Sequence, residues 1–226
     1  ANNPVMLVDP DGRRIDDVFN TSGQYLGSTK TGNNIVIANS LADARKGKSM
    51  LFSSYLSMAG KTNPILGNVA SHYAKNIVKG NNNEILTGNY FKTYSPAYTE
   101  GKSQIYFNLN YNVLSIFDNI ANVQSTLFHE NLHQLDKNPT TNYSHADIYL
   151  QQILDNTFSG TTNEYKRGII NSFMSYCKDA ANKENKKIRP LIDKFNSENK
   201  YGYYLEVNYN KKREAEIKLY KSKTND

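Results

Sequence analysis

The chain has 226 residues, of which 38% are hydrophobic and 12% aromatic. This content is enough for a folded core and argues against a disordered chain. The net charge of +6 is spread over runs in which Lys and Arg alternate with Glu, as in residues 182–190 and 210–223, so nucleic acid is not favoured as a partner. No stretch of about 18 apolar residues occurs, and no membrane span is expected.

The single cysteine, Cys177, excludes an internal disulfide bond. It lies among apolar residues at helical spacing in NSFMSYCKDA, which predicts a small buried side chain rather than a nucleophile. The chain opens with ANNPVMLVDPDG and shows no signal peptide, so we expect it to be a piece of a longer polypeptide.

The first 38 residues are rich in the turn formers Asn, Asp, Gly, Pro and Ser, with short β-type runs between the turns. They predict a small β-rich segment. From about residue 40 the pattern becomes helical, with Asn39 or Ser40 as the N-cap of the first helix. A second helical pattern, over residues 63–80, places apolar side chains four residues apart.

Two strand-like runs, NEILTGNYFKTYSPAY and SQIYFNLN, come before a long helical pattern over residues 117–137. The next helix is predicted over residues 144–158, with Ser144 and Asp147 in a capping arrangement. Two more helical runs follow. The tail alternates as a β-hairpin does, with its turn near Asn210.

These patterns together predict an α+β fold. The main domain, over residues 39–226, is expected to be mostly helical with a small antiparallel sheet and to end in the hairpin. The β-rich segment, residues 1–38, precedes it.

The segment NNPVMLVDPDG resembles the Asn-Asn-Pro…Asp-Pro-Asp-Gly motif that closes RHS/YD-repeat-associated core domains. The following DDVFNTSGQYLGS resembles the connector often found after it. The resemblance covers about residues 2–30, and Val5 stands where Leu is commoner. It implies that residues 1–38 are a junction and that a toxin domain follows. The domain would then be secreted or cell-surface, as the C-terminal part of a larger bacterial polypeptide, delivered into a target cell and partnered by an immunity protein.

The stretch TLFHENLHQLD places His129 and His133 four residues apart within the long helical pattern. Residues i and i+4 share one face of a helix, so both imidazoles can reach one metal ion at about 2.0–2.1 Å. Glu130 stands beside the first of them, where its carboxylate can take a proton from a water on that ion. This is the H-E-x-x-H arrangement, in which Zn²⁺ lowers the pKa of water towards about 7.

Three of the four histidines fall within residues 129–145, which favours a metal site over a core cluster. His145 follows a turn-forming loop that lets it fold back over the first helix, and we place it first as the third ligand. Asp147 is the alternative. Two further possibilities stay open: that Asp155 or Glu164 is the third ligand, or that the site has no third protein ligand.

Two tyrosines, Tyr143 and Tyr149, flank His145. Either phenol could donate a hydrogen bond to the oxyanion formed during peptide hydrolysis. Because the chain has 17 tyrosines, a structural role is the competing interpretation for each. The fourth histidine, His72, is expected to be a structural residue of its helix.

The motif of His129, Glu130 and His133 resembles that of zincin-type metallopeptidases. The resemblance implies a zincin-like domain over residues 39–226, a Zn²⁺ cofactor and a protein or peptide substrate. Metzincins would have Gly at 136 and His at 139, where this chain has Asp and Pro, and gluzincins would place a Glu some 20 residues further on. The strand SQIYFNLN matches the edge strand with which zincins bind the substrate backbone.

Two other functions compete with a zinc-dependent peptidase that uses Glu130 as its general base. A non-catalytic binding module would use zinc to hold its helices together, and a fourth protein ligand would favour it. A nuclease-type toxin would need a basic groove near the histidines, but HENLHQLD contains two acidic residues and no Lys or Arg. We therefore predict the peptidase.

Overall fold

The computed structural model describes residues 16–29, 32–59, 64–79, 84–88, 95–101, 103–109, 113–136 and 141–221. The chain divides into two units, residues 1–135 and residues 136–226. The Asn-Asn-Pro…Asp-Pro-Asp-Gly motif lies outside the described residues, so the RHS resemblance and the boundary after residue 38 stay predictions. None of the helices in the described residues combines the length and the apolar character that a membrane span requires.

The first unit begins with a four-stranded sheet of order β2-β1-β3-β4, formed by β1 (Asp17–Phe19), β2 (Tyr25–Ser28), β3 (Ile35–Ile37) and β4 (Met50–Leu51). Strand β1 runs antiparallel to β2 and parallel to β3, which is antiparallel to β4. Val18, Phe19 and Ile35 are fully buried. The prediction of β structure at this end of the chain is confirmed.

Three helices follow β3 in the sequence, one before β4 and two after it: α1 (Leu41–Arg45), α2 (Phe52–Ala59) and α3 (Pro64–Ile77). Ser40 caps α1 as predicted, because its hydroxyl accepts a hydrogen bond from the Asp43 amide at 3.1 Å. The helical pattern stops soon afterwards at Gly47, whose φ of 75° is rarely adopted by residues with a side chain. In the predicted apolar stripe of α3, Ile65, Val69 and Tyr73 are buried and Ile77 is half-buried.

A second sheet follows, of order β5-β7-β6, formed by β5 (Glu84–Gly88), β6 (Ala97–Glu100) and β7 (Gln104–Asn108). Strand β7 runs parallel to β5 and antiparallel to β6. The sheets of this unit are thus mixed, where an antiparallel sheet was predicted. Strand β7, from SQIYFNLN, lies at the centre of this sheet rather than at its edge. Ile105, Tyr106 and Phe107 are buried, so side chains on both faces of β7 are covered.

The long predicted helix is α4 (Ile120–Leu135), shorter at both ends than its sequence pattern. A 3-10 helix, Val113–Asp118, precedes it. Phe117 lies in that turn and packs on Phe52 and Phe107, with ring centroids 5.6 and 5.1 Å away. These contacts anchor the start of α4 on the core of the first unit.

The second unit holds four helices and a hairpin: α5 (Asn142–Leu154), α6 (Asn156–Ser159), α7 (Asn163–Glu184), α8 (Arg189–Glu198), β8 (Tyr203–Tyr209) and β9 (Ala215–Lys221). Helices α5 and α7 pack along each other. Cys177 is fully buried in their core, as predicted. The hairpin turns at Asn210, whose side chain accepts hydrogen bonds from the amides of Lys212 and Glu214, both at 2.9 Å.

The cap of α5 differs from its prediction. Thr141, not Ser144, is the N-cap, and its hydroxyl accepts a hydrogen bond from the Ser144 amide at 3.1 Å. Ser144 returns the interaction by accepting from the Thr141 amide at 2.9 Å. The two hydrogen bonds form a reciprocal capping box, in which Ser144 takes the third helical position that Glu or Gln usually occupies. The helix therefore begins at Asn142, two residues earlier than predicted.

Candidate metal centre

Helix α4 buries polar side chains more than apolar ones. Seven of its ten buried residues are polar: Asn122, Ser125, Thr126, His129, Glu130, Asn131 and Gln134. Leu135, by contrast, is 51% exposed. An amphipathic helix that serves only for packing has the reverse distribution. The polar face of α4 is therefore better explained by chemistry than by packing.

His129 and His133 lie one turn apart on this face. Their Nε2 atoms are 3.2 Å from each other, and their ring centroids are 4.9 Å apart. Two nitrogens bound to one ion at about 2.0–2.1 Å, at the tetrahedral angle, lie about 3.3 Å apart. His129 is buried and His133 half-buried. The pair is thus spaced to bind a single metal ion.

His145 lies in the first turn of α5, in the second unit. Its ring stacks on that of Tyr176, with centroids 4.1 Å apart, and on that of Tyr149, with centroids 5.1 Å apart. The orientation of this histidine is therefore set by aromatic rings from α5 and α7.

The N-terminus of α5 is held by Glu184, near the end of α7. One carboxylate oxygen of Glu184 accepts hydrogen bonds from the amide and the side chain of Asn142, at 2.7 and 2.9 Å. The other accepts from the Tyr143 amide at 3.1 Å. A carboxylate at this position satisfies free amides and complements the positive end of the helix dipole.

One ring nitrogen from each of His129, His133 and His145 lies within 4.8 Å of the other two. Within the described part of the chain, no other group of three or more His, Cys, Asp or Glu side chains is spaced to hold a metal ion. Asp147, the alternative third ligand, is outside this group, and its carboxylate accepts a hydrogen bond from Gln151 at 2.8 Å.

The remaining alternatives lie in other settings. Asp155 caps α6 by accepting a hydrogen bond from the Thr157 amide at 2.8 Å, and Glu164 lies in the first turn of α7. Neither belongs to the histidine group. Which protein ligands bind a metal stays a prediction.

Glu130 is 4% exposed. Its Oε2 atom accepts a hydrogen bond from the hydroxyl of Thr99, on β6, at 2.9 Å. Burial raises the pKa of the Glu130 carboxyl to about 7, and the hydrogen bond from Thr99 opposes this rise. A carboxyl group with a pKa near neutrality can both accept and release a proton, which is what a general base must do in each turnover.

Tyr143 and Tyr149 both pack, half-buried, against the core of the second unit. Their predicted role as oxyanion donors stays a prediction. His72 lies on α3 in the first unit, with its ring stacked on Tyr25 at 4.2 Å and edge-on to Phe19 at 5.3 Å. These contacts match the structural role expected of His72.

Sequence patterns do not single out three residues that contact the site residues: Thr99, Tyr176 and Glu184. Each is far in sequence from the residue it contacts, so no helix or strand period connects the two. The only available signals are weak. Thr99 directly follows the predicted strand that ends at residue 98, before the H-E-x-x-H helix, and Tyr176 is one of 17 tyrosines.

Comparison with known proteins identifies the family. Residues 17–204, which include α4, α5 and all three histidines, match the metallopeptidase toxin 2 family. No curated protein and no solved structure matches the chain. The family match spans most of the chain and agrees with the H-E-x-x-H motif and the histidine group on the two helices. The chain therefore belongs to the metallopeptidase toxin 2 family and is a peptidase, a hydrolase of peptide bonds.

Proposed function

We propose that the chain is a zinc-dependent peptidase in which His129, His133 and His145 hold Zn²⁺ and Glu130 is the general base. The observation that carries this proposal is the 3.2 Å separation of the His129 and His133 Nε2 atoms, beside a buried carboxyl group on the same helix. The family supplies the reaction, since its members are metallopeptidase toxins.

Three imidazoles are a donor set that fits zinc. Catalytic zinc sites have three protein ligands and leave a fourth position for water or substrate, whereas structural sites are closed by four protein ligands. The group in the described residues has three members, which favours catalysis over a non-catalytic zinc-stabilised module. Bound Zn²⁺ supplies Lewis acidity, polarising the substrate carbonyl and lowering the pKa of water to about 7.

Glu130 supplies the proton transfers. Its carboxylate takes the proton that the attacking water loses and passes it to the amine nitrogen of the departing peptide. Its burial on α4 keeps bulk water from competing for that proton.

The family and the N-terminal motif also support a proposal about delivery and partners. A metallopeptidase toxin acts on proteins, so the substrate is a protein or peptide of a target cell. The RHS-like NNPVMLVDPDG supports a domain carried at the C-terminal end of a larger secreted bacterial polypeptide and neutralised in the producing cell by an immunity protein. The net charge of +6 is the argument for a nuclease, and the family match does not support that alternative.

The test combines metal analysis with proteolysis of fluorescent casein. We expect about one zinc per chain, as in catalytic sites of this type, and casein cleavage that a chelator abolishes and added zinc restores. Glu130→Gln should keep the zinc and lose at least about 100-fold in kcat. Glu206→Gln, at an exposed position on β8, is the matched control and should behave as wild type. A metal-free chain, or a Glu130→Gln variant as active as wild type, would refute the proposal.

A further inference from the structure

We propose that Thr99 is a positioning residue for the reaction, with its hydroxyl holding one oxygen of the Glu130 carboxylate so that the other oxygen receives the proton. This inference rests on the proposed function, because it assigns a partner to the proposed general base. Thr99 lies 31 positions before Glu130 and outside the H-E-x-x-H motif.

The hydroxyl of Thr99 connects strand β6 with helix α4 in the first unit. The Thr99 Oγ1 atom is 2.9 Å from Oε2 of Glu130 and 3.0 Å from the Glu130 backbone oxygen. The hydroxyl has one proton to donate, and both acceptors belong to Glu130, so its hydrogen bond is directed to Glu130 in either case. Oε1 does not take part in this contact, and in this proposal it is the oxygen that receives the proton.

The backbone of Thr99 is held by the sheet. Strand β6 pairs antiparallel with β7, and Thr99 is opposite Ile105, which is fully buried. A β-branched side chain has few χ1 rotamers, so a strand position that is fixed also fixes the hydroxyl. Through this hydrogen bond, the fixed position of Thr99 in the sheet restrains the Glu130 side chain on α4.

Positioning matters because a general base must lie within about 2.6–3.2 Å of the proton it takes. A displacement of about 1 Å can cost about 100-fold in rate. Within the described residues, Thr99 is the one side chain that hydrogen-bonds the Glu130 carboxylate. Without it, the terminal torsion of the Glu130 side chain would lose its hydrogen-bond restraint, and such torsions have broad energy minima.

A purely structural role for Thr99 makes different predictions. If its hydroxyl served only to tie β6 to α4, its loss would lower thermal stability and alter zinc affinity and KM along with kcat. A positioning role predicts a loss in kcat alone, and recovery whenever a hydroxyl is present.

The experiment compares Thr99→Val, which keeps the shape but lacks the donor, with Thr99→Ser, which keeps the donor. Thr87→Val on β5, a half-buried threonine on the other side of β7, is the matched control. On casein we expect Thr99→Val to lose at least about 10-fold in kcat, with KM and zinc affinity within about twofold of wild type. Thr99→Ser should stay within about threefold in kcat, and Thr87→Val should match wild type.

The outcomes separate the two proposals. A wild-type chain without zinc or casein cleavage refutes the proposed function. An active wild-type chain with Thr99→Val equal to Thr87→Val in kcat refutes the role of Thr99 alone, as does a Thr99→Ser variant no better than Thr99→Val. If Thr99→Val lacks the wild-type circular dichroism spectrum, Thr99→Ala, which also lacks the hydroxyl, gives the same comparison.

Discussion

The ring of His145 lies against the ring of Tyr176, with centroids 4.1 Å apart and planes inclined by 28°. Tyr149 forms a third near-parallel ring, 5.1 Å from His145 and 5.5 Å from Tyr176. All three residues belong to the second unit. A proposed metal ligand is therefore oriented before any ion binds, and less side-chain entropy is lost when it does.

Removal of the Tyr176 ring should weaken metal binding. We expect Tyr176→Ala to bind Zn²⁺ about 10-fold more weakly, the loss typical when a residue that orients a ligand is removed. Tyr176→Phe, which keeps the ring, should stay within about twofold. Competition with a chromophoric chelator measures this directly. Tyr204→Ala, which breaks the stacked pair of Tyr204 and Tyr220 on the hairpin, is the control. Equal zinc affinity of Tyr176→Ala and wild type would refute the role of this ring.

The buried side chain of Gln134 should lower the free energy of unfolding of the wild-type chain. It is 7% exposed, and neither its Nε2 nor its Oε1 atom has a hydrogen-bond partner within the described part of the chain. A buried polar group without a partner costs about 1–3 kcal/mol. We expect Gln134→Leu to raise the free energy of unfolding by about 1–2 kcal/mol, measured by urea denaturation followed by circular dichroism.

Gln152 provides the matched control for that substitution. It is 1% exposed, but its Nε2 atom donates to the Tyr165 hydroxyl at 3.1 Å. Gln152→Leu removes that donor and should lower the free energy of unfolding by about 1 kcal/mol. If Gln134→Leu destabilises the chain as much as Gln152→Leu does, then Gln134 is hydrogen-bonded in solution and our interpretation of it is wrong.

Cys177 should be inert in the folded chain. Its side chain is fully buried, and burial raises the pKa of its thiol to about 12. The thiolate is the reactive form, so at pH 8 the folded chain should resist iodoacetamide, while the urea-unfolded chain should be labelled within minutes. Mass spectrometry distinguishes the two. Rapid labelling of the folded chain at Cys177 would show that the core of the second unit opens readily.

The sequence predicted the local chemistry of the site because that chemistry depends on the period of one helix. His129, Glu130 and His133 lie within five residues, and a repeat of 3.6 residues per turn puts the two imidazoles on one face. The same argument located the buried stripe of α3 and the burial of Cys177. His145 required more, since its role depends on the loop between two helices, and the structure groups it with the other two histidines.

Strand order and contacts distant in sequence were not predictable in the same way. SQIYFNLN reads as a strand, but nothing local shows that β7 lies between β5 and β6 or that the sheet is mixed. Ser144 looked like a helix cap until Thr141, three residues earlier, proved to be the better one. In both cases several arrangements have the same local pattern, and packing selects among them.

The sequence by itself determined a metallopeptidase-type motif on a helix and an α+β chain ending in a hairpin, because both follow from short-range periodicity and residue chemistry. The tertiary structure decided what surrounds that motif. It placed Thr99 against Glu130 and Tyr176 against His145, pairs separated by 31 positions in each case. Such pairs form because β pairing and helix packing bring remote segments together as apolar surface is buried, and neither process leaves a periodic signal in the sequence.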